Sequence, residues 1–202
     1  MPDIRQRVSE DQGVLKKIQM FIPGFRGYRQ KEDLRDADRM LRDQLVKKLS
    51  LQRKQVEGAR RLVKNAYNSK ELEMMGGIIS AYKKVEGLAS HSSMGYSGIS
   101  ADIQFKQDEI FRLYDYDASM IDGLAFMQQA IDQLKAALTA EDGPKAEAEA
   151  GQLRALIDNF EELLIENSKL KEQVERLDTE VKHYRSIEQN MNASLILAQR
   201  AA

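Results

Sequence analysis

The sequence predicts an all-α protein, an elongated helical bundle built on a long antiparallel coiled-coil hairpin at about 102–139 and 146–183 or beyond. Three observations carry this expectation. From Leu153 to Ala198 one apolar seam repeats at 3-4 spacing: Leu153, Phe160, Val174, Val181 and Leu195 fall at heptad position a, and Leu156, Leu163, Leu170, Leu177, Tyr184 and Met191 at d. Only Asn167 and Glu188 interrupt it at a. A second run, Ile110, Leu113, Met120, Leu124, Met127, Ile131, Leu134 and Leu138, has the same spacing, with its polar gap at Asp117. Composition agrees: 31% of residues are charged, 6% are aromatic, and prolines are limited to 3, a mix suited to long helices rather than sheets.

The two seams have two ways to be covered. In a parallel zipper of two copies, Asn167 would meet Asn167 across the axis, and Glu166 and Glu180 at g would face Lys171 and Arg185 at e. In a hairpin closing through Asp142, Gly143 and Pro144, residues pair when their numbers add to about 284. That register sets Asp117 opposite Asn167, Leu113 by Leu170, Ile110 by Val174, Met120 by Leu163 or Leu164, Leu124 by Phe160, Met127 by Ile157, and Ile131 by Leu153. Leu134 and Leu138 then face Ala150 and Ala146, large against small. The hairpin is the preferred reading, because a polar group buried in an apolar seam needs a polar neighbour, and here the two notches coincide.

Four units are expected in chain order: 1–28, a short amphipathic helix with a turn; 29–88, a basic helix and a shorter second one; 89–100, a Gly/Ser loop; and 101–202, the hairpin with a C-terminal extension. Ser9, Glu10 and Asp11 signal a helix start, and Val14, Leu15, Ile18, Phe21 and Ile22 form its apolar face. Pro23 ends it, and FIPGFRGY (21–28) supplies two glycines with Phe25 and Tyr28 as aromatic anchors. The segment reads as a plug over the end of the bundle. Its alternative is contact with a membrane or partner through Ile18, Phe21, Ile22, Phe25 and Tyr28, with Lys16, Lys17 and Arg26 near anionic head groups.

From Arg29 to Tyr67 one helix is expected, with Leu34, Leu41, Leu45, Leu49, Val56, Ala59, Val63 and Ala66 inward. Asn68 and Glu71 resemble a capping box opening a helix over 69–88, whose face is Leu72, Met75, Ile79, Tyr82 and Val85. Gly76 and Gly77 weaken that helix and suggest close packing. The run 87–100, GLASHSSMGYSGIS, breaks helix and reads as a connector or a functional loop. Residues 1–67 carry 17 Lys and Arg against 9 Asp and Glu, while 68–202 carry 14 against 23. The simplest account is a basic helix docked beside acidic ones.

The chemistry of sites is sparse. Zero cysteines exclude disulfides and thiol chemistry and fit a reducing cytoplasm. Glu180 and His183 stand at the Glu-x-x-His spacing of di-iron bundles, but the other histidine, His91, lies in the Gly/Ser loop. Asp115, Asp117 and Ser119 mimic the start of a calcium loop, yet Met120 and Phe126 occupy the places that need Gly and Glu. No phosphate-cradling glycine loop and no nucleophile with a base is present. No catalytic residue, cofactor or metal is expected. Arg35, Arg39, Arg42, Lys47, Arg53, Arg60 and Arg61 form a basic face, but interleaved acids and the lack of stacking aromatics disfavour nucleic acid.

IPGFRGY followed by KEDLRDADRMLRDQL (31–45) resembles the start of small uncharacterised prokaryotic helical proteins, a resemblance that implies no activity. The order of short amphipathic helix, long basic helix and hairpin is similar in outline to phage-shock-type membrane-remodelling proteins, which implies a peripheral membrane role. The expected function is structural or adaptor-like: a cytoplasmic homo-oligomer, or one with a protein partner, held through Leu177, Val181, Tyr184, Met191 and Leu195. Alternatives are a membrane-associated scaffold using residues 9–28 and a nucleic-acid binder using 29–64.

Overall fold

The computed structural model describes residues 13, 16–22, 31–63, 70–91 and 107–201. Every regular element among them is a helix: a short α1 (16–21), α2 (Lys31–Ala59) continued by a 3-10 turn (Arg60–Leu62), α3 (Lys70–His91), α4 (Gln107–Thr139) and α5 (Gly143–Ala201). At 1.5 Å per residue the 59 residues of α5 extend about 88 Å, far beyond its neighbours.

The hairpin closes where the sequence places it. Glu141 adopts φ 59 and ends α4, with the Asp142 N–H donating to Ala137 O (3.1 Å) and the Glu141 N–H to Leu138 O (3.2 Å). Asp142 then caps α5, its carboxylate accepting from the Lys145 N–H at 3.1 Å. The expected layers are all buried: Leu138 and Ala146, Leu134 and Ala150, Ile131 and Leu153, Met127 and Ile157, Leu124 and Phe160, Met120 and Leu164. A methyl group placed on Gly123 would stand 3.1 Å from the Phe160 ring, so α4 and α5 approach closely there. The side chains of Ile110, Leu113, Leu170 and Val174 lie outside the described residues.

Around the core the helices follow the order α2, α3, α5, α4. Consecutive helices run antiparallel, and the two remaining sides are parallel pairs. Lys70 meets Glu147 (2.6 Å), Arg154 Nη1 donates to Gly77 O (3.2 Å) and Lys84 meets Glu161 (2.6 Å), each pair 77 residues apart, so α3 and α5 run the same way. Gln52 Nε2 donates to Leu124 O (2.8 Å) and Gln55 pairs with Gln128 (3.1 Å), which sets α2 parallel to α4. The basic helix meets an acid of α3, with Arg53 bonding Glu86 at 2.7 Å, and within α2 the same guanidinium bonds Glu57 at 2.6 Å.

Several expectations are corrected. Helix α2 ends at Ala59, not near residue 67, and Val63 turns extended (φ -78, ψ 108). Gly58, one residue before the end, weakens the helix there. The fully buried inward face formed by Leu41, Leu45, Leu49, Val56 and Ala59 ends there, Leu62 and Val63 beyond it are half-buried against the core, and α3 lies on the same core. Helix α3 continues to His91, so 87–91 belong to helix rather than loop. Close packing does not explain Gly76 and Gly77, because a methyl group on either would meet nothing within 4 Å. Finally, the buried stripe of α5 is Ala146, Ala150, Leu153, Ile157, Phe160, Leu164 and Asn167, heptad positions a and e, whereas Leu156 and Leu163 at d are only half-buried. The cause is that α5 is clasped by α3 as well as α4, and burial between two neighbours turns the face toward the bundle axis.

Tyr82 is fully buried, and its hydroxyl donates to Gln52 Oε1 at a long 3.4 Å. Burial, with a smaller push from the charge of Glu86, raises the phenol above its ordinary value of 10.0. With the folded value above the unfolded one, this stabilisation is complete below about pH 10 and is lost as pH rises further, at up to about 1.4 kcal/mol per pH unit. Urea midpoints are therefore expected to fall above that pH, and Tyr82→Phe to flatten the fall while costing about 1 kcal/mol at neutral pH. An alkaline limb unchanged in the variant would acquit Tyr82.

Candidate self-association surface

The bundle carries a polar layer at one end. Arg42, Asp117 and Asn167 are all buried, and Arg42 Nη2 donates to Asn167 Oδ1 at 3.0 Å. The two notches of the hairpin thus lie in the core as expected, and α2 adds a guanidinium that was expected on its solvated or partner-docked basic face. Because Asn167 is engaged by Arg42 of its own chain, it does not serve as the axis of a parallel zipper.

Past this layer α5 changes character. Every described side chain from Glu172 to Gln199 is exposed apart from the intermediate Lys182. The apolar residues among them fall on one face: Leu177 (56% exposed), Val181 (40%), Tyr184 (69%) and Met191 (61%). Leu195 occupies the next seam position, and its side chain lies outside the described residues. Ile187 and Ile196 are exposed as well and were missed by strict heptad reading; Ile187, at g, widens the seam. Glu188 sits exposed at position a between Tyr184 and Met191, and on the flank Arg176 pairs with Glu180 at 3.6 Å. A seam of this kind, left in water, favours burial against another helix.

The lipid-facing candidates have different fates. Ile18 and Ile22 are buried in the core, Phe21 is half-buried, and Lys17 donates to both Asp122 oxygens at 2.7 Å, tying α1 to α4. Lys16 and Met20 are exposed, beside a shallow apolar groove of about 460 Å³ closed by Phe21 and Ile121. Phe25, Arg26 and Tyr28 lie outside the described residues. Of the basic face, Arg42 is buried and Arg53 is held by its two glutamates, while Arg39, Lys47, Arg60 and Arg61 are exposed; the side chain of Arg35 is not described.

No cluster of three metal-ligating side chains occurs among the described residues. Asp115, Asp117 and Ser119 lie on helix α4, with Ser119 Oγ donating to Asp115 O at 2.7 Å and Asp117 turned into the core, so no calcium loop forms. No described helix is long and apolar enough to cross a membrane.

Bundle and projecting seam together define a class, a helical coiled-coil protein. Within that class, the model of the DivIVA protein family, a family of non-enzymatic scaffolds, matches residues 146–202, which is α5 almost from its start. The match falls at the opposite end from the resemblance carried by residues 21–45. No curated protein and no solved structure matches the chain.

Proposed function

We propose that this chain is a non-enzymatic structural or adaptor protein that self-associates through the distal half of α5. The observation that carries the reading is the row Leu177, Val181, Tyr184 and Met191, exposed at 3-4 spacing inside the segment matched by a scaffold family. Absence of cysteine suits a reducing cytoplasm. Light scattering across a concentration series tests it: the reading expects a species of at least twice 23.0 kDa, and a monomer at every concentration would overturn it.

A second reading, peripheral membrane attachment through residues 9–28, draws support from exposed Lys16 and Met20 beside the groove on α1. It expects the full chain to float with anionic vesicles and a chain lacking 1–28 to stay behind. Equal behaviour of the two chains would dismiss it.

A further inference from the structure

We infer that the outer face of α2 is a docking surface for duplex nucleic acid, held through its phosphates without regard to base sequence. Over residues 39–61 the chain carries eight Lys and Arg against two acids, Asp43 and Glu57. The fold occupies two of the cations and one of the acids: Arg42 is buried in the polar layer, and Arg53 is held by Glu86 and Glu57. Arg39, Lys47, Lys48, Lys54, Arg60 and Arg61 remain exposed, and none of the six has an ion-pair partner among the described residues. Of the acids in this stretch only Asp43 is left to offset them.

The six cations fall on three lines. Lys54 stands between Arg53, whose side chain reaches α3, and Gln55, whose side chain reaches α4, so it lies on the crest that points away from the bundle. Lys47 and Arg61 are seven residues to either side of it, two helical turns, and continue that crest. Arg39 and Arg60 keep the same spacing from Arg53 and mark the α3 flank, while Lys48, seven before Gln55, marks the α4 flank. From Lys47 to Arg61 the crest runs about 21 Å. Alongside that length a duplex presents about twelve phosphates, at about 1.7 Å of axis per charge. A ridge about 10–12 Å across with cations on its crest and both flanks matches the mouth of a groove about 12 Å wide, whose two edges are phosphates.

A lipid surface fits this face less well. The apolar side of α2 is spent on the core, and the exposed Met40 and Leu51 lie about 16 Å apart, too isolated to form an inserting face. A plane would also meet the crest alone. Missing aromatics count against single strands, whose bases stack; a duplex gripped by its phosphates needs none. Because α2 belongs to the bundle, the inference stands apart from self-association through α5 and from attachment through residues 9–28.

The test is fluorescence anisotropy of a labelled DNA duplex of about two helical turns, roughly 20 base pairs, titrated with the full chain at several salt concentrations. With six phosphate contacts, log K is expected to fall against log salt with a slope of about -5, a loss of about a thousandfold between roughly 50 and 200 mM. Two duplexes of unrelated sequence should bind alike. Lys47→Gln, Lys54→Gln and Arg61→Gln combined should weaken binding by about a hundredfold and make the slope shallower by about 3. All three side chains are exposed, so thermal unfolding should stay unchanged. Lys145→Gln with Lys169→Gln, exposed on α5, should leave binding as it is. No binding at the lowest salt overturns the inference, and so does binding that the triple variant retains. Flotation with phosphatidylglycerol vesicles runs in parallel. If the triple substitution releases the chain from vesicles and the intact chain ignores the duplex, a lipid surface is the occupant and the inference is wrong.

Discussion

A chain ending at Lys182 is expected to be monomeric at concentrations where the full chain is not, with the thermal unfolding of its bundle little changed. The segment removed carries Tyr184, Ile187, Met191 and Ile196, all exposed, and no described side chain in it is buried. Folding of the bundle therefore loses nothing that it uses. Association loses Tyr184, Met191 and Leu195, three of the five seam residues. Burying a large apolar side chain fully contributes about 1.5–3 kcal/mol, and several such residues from each copy give a gross gain on the order of 10–20 kcal/mol, against an association cost of about 4–15 kcal/mol. A surplus of about 8 kcal/mol, inside the range these figures span, corresponds to micromolar assembly, within reach of light scattering. Val181→Glu combined with Tyr184→Glu should reproduce the loss without shortening the chain, by placing like charges in the seam. If the truncated chain keeps the mass of the full one, the contact lies elsewhere.

Arg42→Ala is expected to destabilise the bundle by about 3–5 kcal/mol, the cost of breaking a buried polar layer by removing one member. Arg42 is 2% exposed, and its guanidinium reaches Asn167 at 3.0 Å while Asp117 is buried at 1% exposure. The loss is a large share of the roughly 5–15 kcal/mol that a domain of this kind commands. Arg42→Lys should rescue only in part, because a flexible ammonium does not replace a planar fork of donors. Replacing all three residues by apolar ones, Arg42→Met with Asp117→Leu and Asn167→Leu, should in contrast be near neutral. Urea midpoints measure each case. A loss below about 1 kcal/mol for Arg42→Ala would mean that water reaches the layer.

Much of the hairpin was legible because its signals are local and repeated. Two apolar ridges at one spacing, the turn residues Asp142, Gly143 and Pro144, and polar notches at matching distances from the turn point to one register. The seam at Leu177, Val181, Tyr184 and Met191 was legible for the same reason. Arg42 was not. On α2 it stands among Arg35, Arg39 and Lys47, and nothing in spacing separates the one arginine that turns inward; its position directly after Leu41 was the signal, and a single step on a helix is too small to tell the edge of a face from its centre. The end of α2 was also hidden, since the single Gly58 is a weak breaker and no proline lies between Ala59 and Tyr67.

The sequence by itself determined that this chain is helical, where α4 turns into α5, and that α5 carries apolar residues well past the turn, because helical period and turn chemistry are written in neighbouring residues. Only the tertiary structure decided which edge of α5 is spent on the chain's own core. Clasped by α3 and α4 together, α5 buries positions a and e as far as Asn167, and the a and d edge beyond remains in water, where the long helix meets no other described element. Burial depends on what surrounds a helix, and the periodicity of a single segment cannot say how many neighbours it will have.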